Sequence, residues 1–340
     1  METYRIIQHV IMKKIFPLLL LVILASCQHE AQKIVIQGFA QGSYYSITYY
    51  DELNRNFQQG IDSIFKVIDN SVSLWNDSSI ITKVNHNEEV KLDQIFIDNF
   101  IIAQEAAELS NGYFDPTISP LVAAWGFSYK NGDSITPQLI DSLKALVDYR
   151  RIKIEDGKVV KEDPLMSLDF NAIAQGYTSD LIGKYLSSKG IENYLVDTGG
   201  EIIGKGTKPN NQPWIVGIEK PAENWDSERV LQTRIALCNK GLVTSGSTRK
   251  YVERNGKRYS HCIDPTTGYP VEHQVLSVTV WAENSVWADA LASICMVMGM
   301  EKSLDIINNR EDTEAYYIFV DSKGQLDTYA TEGFEKLIVK

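Results

Sequence analysis

Ser260-His261-Cys262-Ile263-Asp264-Pro265-Thr266-Thr267-Gly268-Tyr269-Pro270 sets an imidazole, a carboxylate and several hydroxyls between punctuating prolines and a glycine. Proline fixes its own φ and biases the residue before it away from helix, so this is a rigid turn placed ahead of a strand-like stretch at 275–280. His261 stands at the mouth of the turn. An imidazole, with an unperturbed pKa near ~6.5, is the side chain best suited to taking up a proton near neutral pH. On this loop alone a general base and a satisfied structural histidine are equally good readings.

Outward from the turn, apolar spacing switches repeatedly between strand and helix periods. Downstream, residues 275–281 read as a strand, 286–298 as a helix, 301–309 as a second helix, and Tyr316 to Tyr329 as a closing hairpin. Upstream, Asp156-Gly157 and Asn255-Gly256 are hairpin signals, and strands are expected at 194–197, 201–203, 214–219 and 230–238. Ile61, Ile64, Phe65 and Ile68 recur at helical spacing. A further amphipathic helix is expected over 93–110, stopping at Asn111-Gly112, and Thr136-Pro137 is an N-cap with proline at the first position of a helix ending near Tyr149. Near the start, a strand at 33–37 is interrupted by Gly38-Phe39-Ala40-Gln41-Gly42-Ser43 and resumes at 44–50, a hairpin or bent strand with a glycine-lined corner. No segment repeats and no low-complexity linker divides the chain. Long helices mixed with runs of strands, without regular βαβ alternation, predict an α+β fold: a single domain over 38–340 of mixed, mostly antiparallel strands with packed helices, and room for two subdomains.

With 340 residues, 44% hydrophobic and 10% aromatic, the chain is globular and long enough to bury a sizeable core. A net charge of −11 without a basic tract argues against nucleic acid as a partner, because phosphate binding needs clustered Lys and Arg. Residues 12–27 read M-K-K-I-F-P-L-L-L-L-V-I-L-A-S-C, a basic start and an apolar run too short to span a bilayer comfortably. This is a secretory signal, and its L-A-S-C ending resembles the bacterial lipobox. The expectation is a signal peptide over 1–26, with 1–11 an upstream misassigned start before Met12, then lipidated Cys27 and a tether over 27–37. The protein is accordingly expected to be exported and lipid-anchored to a bacterial membrane, facing the periplasm. Cys238, Cys262 and Cys295 remain, an odd set without zinc-site spacing.

Two motifs mislead. Asp197-Thr198-Gly199 matches the aspartic-protease triplet, but a second copy is missing, and that chemistry needs two carboxylates sharing a proton. Gly199 to Lys205 nearly spells a phosphate-binding loop, yet Gly206 replaces the required hydroxyl and a strand is expected where a helix should follow. More informative is Ala288-Asp289-Ala290-Leu291-Ala292-Ser293: Asp289 and Ser293 are four apart on an expected helix and share a face. A carboxylate and a hydroxyl so placed suit a hard cation such as Mg²⁺. An aspartate in the first helical turn, favoured by the helix dipole, is the competing reading, and Asp169 at the end of a buried-looking strand carries the same ambiguity.

Taken together, A-Q-G-S at 40–43, S-L-W at 73–75, F-D-P-T at 114–117, D-F-N-A-I-A-Q-G-Y at 169–177, Gly199-Gly200, T-S-G at 244–246, His261 to Pro270 and A-D-A-L-A-S at 288–293 resemble, in order, the motifs of the ApbE family, the FAD:protein FMN transferases. The resemblance covers roughly residues 38–339. It implies Mg²⁺-dependent cleavage of the FAD pyrophosphate, transfer of FMN to a Thr or Ser hydroxyl of an acceptor protein, and release of AMP. His261 would be the base; Asp289, Ser293 and a carbonyl near Ala172 would hold the metal. Thr244, Ser245 and Gly246 would bind the pyrophosphate; Gln41, with Gly42 and Ser43, and Trp75 would line the flavin; Asp180 and the Gly199-Gly200 corner would serve the adenosine half, and Asp115 of F-D-P-T the nucleotide. Acceptors carrying a flavinylation-type Thr/Ser motif, redox-driven ion pump subunits among them, are the implied partners. An FAD pyrophosphatase and a non-catalytic flavin-binding lipoprotein are the alternatives, and retention of both His261 and Asp289 disfavours the second. Departures from the motifs are Gln175 for the usual lysine, with Arg249 or Lys250 as compensating charges, Ser293 for threonine, Gln41 for methionine, and Asn171-Ala172 for two glycines. Asp264 is expected as scaffold rather than as a catalytic group.

Overall fold

The computed structural model describes residues 30–127, 135–221, 228, 230–247, 251–254 and 257–339. The chain opens with the hairpin β1 (Gln32–Ala40) and β2 (Ser43–Asp51), followed by the helices α1 (Gln58–Val72), α2 (Ile80–Asn85) and α3 (Gln94–Leu109). Two short helices, α4 (Ser119–Trp125) and α5 (Pro137–Lys144), precede the hairpin β3 (Ile152–Glu155) and β4 (Lys158–Lys161). Then come α6 (Ala174–Ser188), β5 (Tyr194–Thr198), β6 (Ile202–Lys205), and the hairpin β7 (Trp214–Glu219) and β8 (Leu231–Leu237). After β9 (Lys240–Gly246), the pair β10 (Tyr251–Arg254) and β11 (Lys257–Ser260) leads into β12 (Ile263–Asp264) and β13 (Tyr269–Pro270). The chain closes with β14 (Val275–Ala282), α7 (Ser285–Met298), α8 (Met300–Asn308), β15 (Glu314–Val320), β16 (Leu326–Ala330) and α9 (Glu332–Glu335).

The fold is α+β, and its frame is an eight-stranded sheet in the order β1-β2-β5-β6-β9-β14-β15-β16 with every neighbouring pair antiparallel. Successive side chains of a strand point to opposite faces, and both faces are apolar at the sheet's centre. Val243, Val278, Val280 and Tyr317 face a helical layer with buried residues of α1, α3, α6 and α7. Leu242, Tyr316 and Ile318 face the other way, onto Trp214, Val216, Ile235 and Leu237 of the β7–β8 hairpin and Phe334 of α9. A third, smaller cluster joins Leu121 and Trp125 of α4, Ile140 of α5 and Ile263 of β12. That cluster fastens the 260–270 turn to the body of the protein.

Local signals place most elements well. Asp93 accepts from Phe96 N at the start of α3, and Thr136 accepts from Leu139 N at the start of α5. Three expectations need amendment. The strand expected to break at Gly38 runs on to Ala40, leaving only Gln41-Gly42 in the turn, both with positive φ. Gly38 fits because the Tyr45 ring lies over it, where an added Cβ would sit 2.5 Å from the phenol oxygen. The helix expected to reach Tyr149 stops at Lys144: Leu146 N and Val147 N turn to the i−3 carbonyls of Leu143 and Lys144, and Asp148 N and Tyr149 N then leave for Thr117 Oγ1 and Asp115 Oδ2, partners outside any helix. Finally, the apolar patch before Trp125 is itself a helix, α4, ended by Gly126 at φ 87°.

Candidate functional site

The packing of α6 on α7 organises the site. Gly176, in the first turn of α6, lies so close that an added Cβ would come within 2.6 Å of Ser285 O, 2.8 Å of Val286 Cα and 2.9 Å of Asp289 Cβ. Only glycine lets the two helix starts approach this far. Each helix then lends a carboxylate to the other. Asp180 of α6 accepts from Ser285 N and Val286 N of α7, both at 2.9 Å, and Asn284 accepts from Trp287 N, so the first turn of α7 is fully capped. In return Asp289 of α7, 5% exposed, accepts from Gly176 N at 3.2 Å, while Ile173 at the α6 N-cap supplies no side-chain bond. Ser293 follows Asp289 by one helical turn and is half-buried. Gly241 of β9 holds the seam from behind, since an added Cβ there would strike the Asn284 peptide at 2.2 Å.

Two turns close on the start of α6 from the sheet. Gln41 Nε2 donates to Thr178 Oγ1 at 3.1 Å, and Gln175 Nε2 reaches Thr198 O at 3.5 Å. Gly199 packs against both sets: an added Cβ there would meet Ser43 Oγ at 2.8 Å and Gln175 Nε2 at 3.1 Å. The Gly199-Gly200 turn has φ values of 88° and 112°, and Asp197 Oδ1 closes it by accepting from Gly200 N at 2.9 Å. The protease-like triplet is therefore a turn device, and the near phosphate-loop runs into β6 rather than a helix.

Other expected residues lie in three further places. Ala172 is half-buried, just ahead of α6, in a segment steered by Asn85, whose side chain donates to Leu168 O at 2.9 Å and accepts from Leu168 N at 2.7 Å. Asp169 is half-buried there too, accepts from Asn171 N, and is pushed up to about 6 by desolvation, which that hydrogen bond opposes. Thr244, Ser245 and Gly246 end β9, beside α7, but the strand's alternation puts the two hydroxyls on opposite faces. Thr244 Oγ1 bonds Thr279 Oγ1 at 2.8 Å on the face shared with Tyr316, so of the pair only Ser245 has its side chain on the helical face with Val243.

His261 is half-buried, with the Phe127 ring edge-on at 6.3 Å. Directly after it, β12 packs against α7 and Cys262 against the helical core, so the histidine's loop is tied to the helix that carries Asp289. Beyond it the turn is built as scaffold. Asp264 Oδ1 accepts from Thr266 N and Oγ1, Gly268 N bonds Asp264 O at 2.8 Å, and Trp125 Nε1 donates to Gly268 O at 2.9 Å.

Two residues expected to contact nucleotide have other employment. Asp115 binds Thr117 N and Oγ1 through one oxygen and Tyr149 N through the other; burial raises its pKa and those hydrogen bonds oppose the rise. Asp180 is saturated by α7, and desolvation pushes its carboxyl up to about 6 against the pull of those two N–H groups. Trp75 lies on the surface after α1, 63% exposed. Cys27, Arg249 and Lys250 lie outside the described residues. Thr178, which anchors Gln41, escaped sequence reading because its only signal was its place three residues after Gln175 on α6.

The ApbE family model matches residues 41–317. The FAD:protein FMN transferase of Vibrio cholerae is 30% identical over 329 residues, covering 94% of this chain and 97% of its own. That of Haemophilus influenzae is 31% identical, covering 92% of this chain and 94% of its own. Among solved structures, the flavin transferase ApbE from Vibrio cholerae superposes with a TM-score of 0.80 at 30% identity, covering 90% of this chain and 99% of that one. The apo flavinyl transferase ApbE of Pseudomonas stutzeri gives 0.79 at 28% identity, covering 92% and 98%. A family model matched over most of the length, with the same architecture along nearly the whole chain, makes this protein a member of the ApbE family.

Proposed function

We propose that this protein is a Mg²⁺-dependent FAD:protein FMN transferase. The observation that carries this reading is the placement of Asp289 against the start of α6, one turn ahead of Ser293 on α7, with the His261 loop tied to the same helix. A base and a hard-oxygen pair on one rigid support suit a reaction that joins a hydroxyl to a phosphorus.

The donor set fits magnesium. Asp289 offers a carboxylate, Ser293 a hydroxyl one turn later, and Ala172 a peptide carbonyl, all hard oxygen ligands. Among the described residues no three His, Cys, Asp or Glu side chains cluster as a metal cage. A sparse protein shell leaves room for the waters and phosphate oxygens that Mg²⁺ retains. When bound, the metal supplies charge neutralisation at the diphosphate. His261 takes the proton from the acceptor Thr or Ser hydroxyl, whose oxygen bonds to the FMN-side phosphorus. The bond to the bridging oxygen breaks, and AMP leaves with that oxygen and its electron pair. Ser245 and the backbone at Gly246 steady the pyrophosphate, while the Gln41–Ser43 and Gly199-Gly200 turns flank the nucleotide.

The acceptor is a protein with a flavinylation-type Thr/Ser motif, such as a redox-driven ion pump subunit. The exported, Cys27-lipidated form expected from residues 12–27 would set this activity at a bacterial membrane surface facing the periplasm. The lipid on Cys27 would be the anchor in this reading; among the described residues no helix is long and apolar enough to cross a membrane. One assay tests the reading: the protein is incubated with FAD, MgCl₂ and a peptide carrying a D-G-x-[ST]-G-A-[ST]-like motif. A peptide mass gain of one FMN is expected; free FMN plus AMP would mean hydrolysis, and unchanged FAD would mean storage. His261→Ala is expected to keep FAD binding while transfer falls by about 10²–10⁴-fold, the usual worth of a general base. Unimpaired transfer by that variant would refute the base assignment.

A further inference from the structure

Gln41 forms the tip of the β1–β2 hairpin in a left-handed backbone conformation, φ 51°, that is uncommon for any residue but glycine, asparagine or aspartate. Its side chain turns inward. Nε2 donates to Thr178 Oγ1 at 3.1 Å, and Thr178 Oγ1 donates to Ala174 O at 2.7 Å. A hydroxyl has one proton, and Thr178 has committed it to Ala174, so toward Gln41 it can only accept. The amide is thereby oriented, with its nitrogen on α6 and its oxygen pointing away. That oxygen, Oε1, is buried and has no hydrogen-bond donor among the described residues. A buried acceptor without a donor is unfavourable and rare in folded proteins.

Open space lies beside this hairpin tip. An added Cβ at Gly42 or Gly200 would meet nothing within 4 Å, so both turns border open space, and Gln175 and Ser43 edge the same corner through Gly199. We propose that Gln41 Oε1 is a specificity group that accepts a hydrogen bond from a ring-system N–H of the dinucleotide, an inference that rests on FAD being the substrate. FAD carries two such donors, the imide N–H of the isoalloxazine and the exocyclic amine of the adenine. Both present the same chemistry to a lone carbonyl oxygen. Thr178 acts through Gln41 as a positioning residue.

Affinities of the full chain for FAD, 3-methyl-FAD and the FAD analogue with hydrogen in place of the adenine amine, measured by flavin fluorescence titration, test this. The wild type is expected to bind one analogue about 5–10-fold more weakly than FAD, the range of one neutral hydrogen bond. A penalty on the methylated flavin assigns the imide; a penalty on the deaminated purine assigns the adenine. In Gln41→Met, of similar size but without an acceptor, that penalty is expected to shrink to within about twofold, and Thr178→Val, which frees the amide to rotate, should reduce it partly. Equal binding of all three nucleotides by the wild type overturns the proposal, as does a penalty unchanged in Gln41→Met. The wild-type comparison decides even if the variants fold poorly. Failure of FAD itself to bind would overturn the transferase reading as well, whereas FAD binding without discrimination removes Gln41 alone.

Discussion

Asp180 and Asp289 face each other across one helix seam, and both accept hydrogen bonds from the first turn of the neighbouring helix. Asp180 has both oxygens matched by N–H groups at 2.9 Å, those of the first two residues of α7. Asp289 makes a longer bond, 3.2 Å, to a helix whose N-cap residue supplies no side-chain bond, and a hydroxyl follows it one turn on. The same residue type, similarly buried, is thus set in two ways. A carboxylate filled by backbone donors holds the fold; in the reading proposed above, one placed a turn ahead of a second hard oxygen on the same helix face would hold a cation.

The largest effect is expected from Asp289→Ala. FMN transfer should fall by at least about 10²-fold, the loss typical of removing one electrostatic stabiliser, and the residual rate should no longer respond to Mg²⁺. An unaltered metal response in a Mg²⁺ titration would take Asp289 out of the site and erase the contrast. Asp180→Ala should do the opposite, lowering unfolding free energy by about 2–3 kcal/mol in denaturant melts, because it strands two N–H groups at the start of α7, while the folded fraction still binds FAD.

The titration of Asp180 sharpens the contrast further. Its folded-state carboxyl stays protonated up to about pH 6, whereas the unfolded chain releases that proton near the ordinary value of 3.8. Over that window the folded state binds more protons, so the Asp180 contribution to stability is present at low pH, falls as pH rises from about 4 to about 6, and then levels off. Asp180→Asn should flatten this segment of the stability profile; a variant profile parallel to the wild type would refute the assignment. Smallest is Gly176→Ala, expected to destabilise by about 1–3 kcal/mol through overpacking. Because the new methyl group would press on Asp289 Cβ, it should also raise the Mg²⁺ concentration needed for half-maximal transfer, an effect without parallel in Asp180→Ala.

Much of this was legible in advance because it is decided within a few residues. Asp93, Thr136-Pro137 and Asp156-Gly157 announce helix starts and a hairpin through bonds spanning two to four positions, and the i, i+4 spacing of Asp289 and Ser293 places both on one helix face. The ordered motifs from 40–43 to 288–293 also carried the family resemblance. The early stop of α5 was hidden because Thr117 and Asp115, which draw off the amides of Asp148 and Tyr149, lie more than thirty residues upstream.

What the sequence by itself determined is the class of fold, the position of most elements and the residue types available for chemistry, since propensity, capping and hydrophobic period are local. Only the tertiary structure decided which of those residues meet. Asp180 finds Ser285 at a separation of 105, Gly176 finds Asp289 at 113 and Gln41 finds Thr178 at 137. Likewise, β9 alone cannot say that Thr244 and Ser245 serve different faces of the sheet until its neighbours and the two cores are in place. Burial and saturation of a carboxylate are properties of what packs around it, and for these residues that packing comes from the far end of the chain.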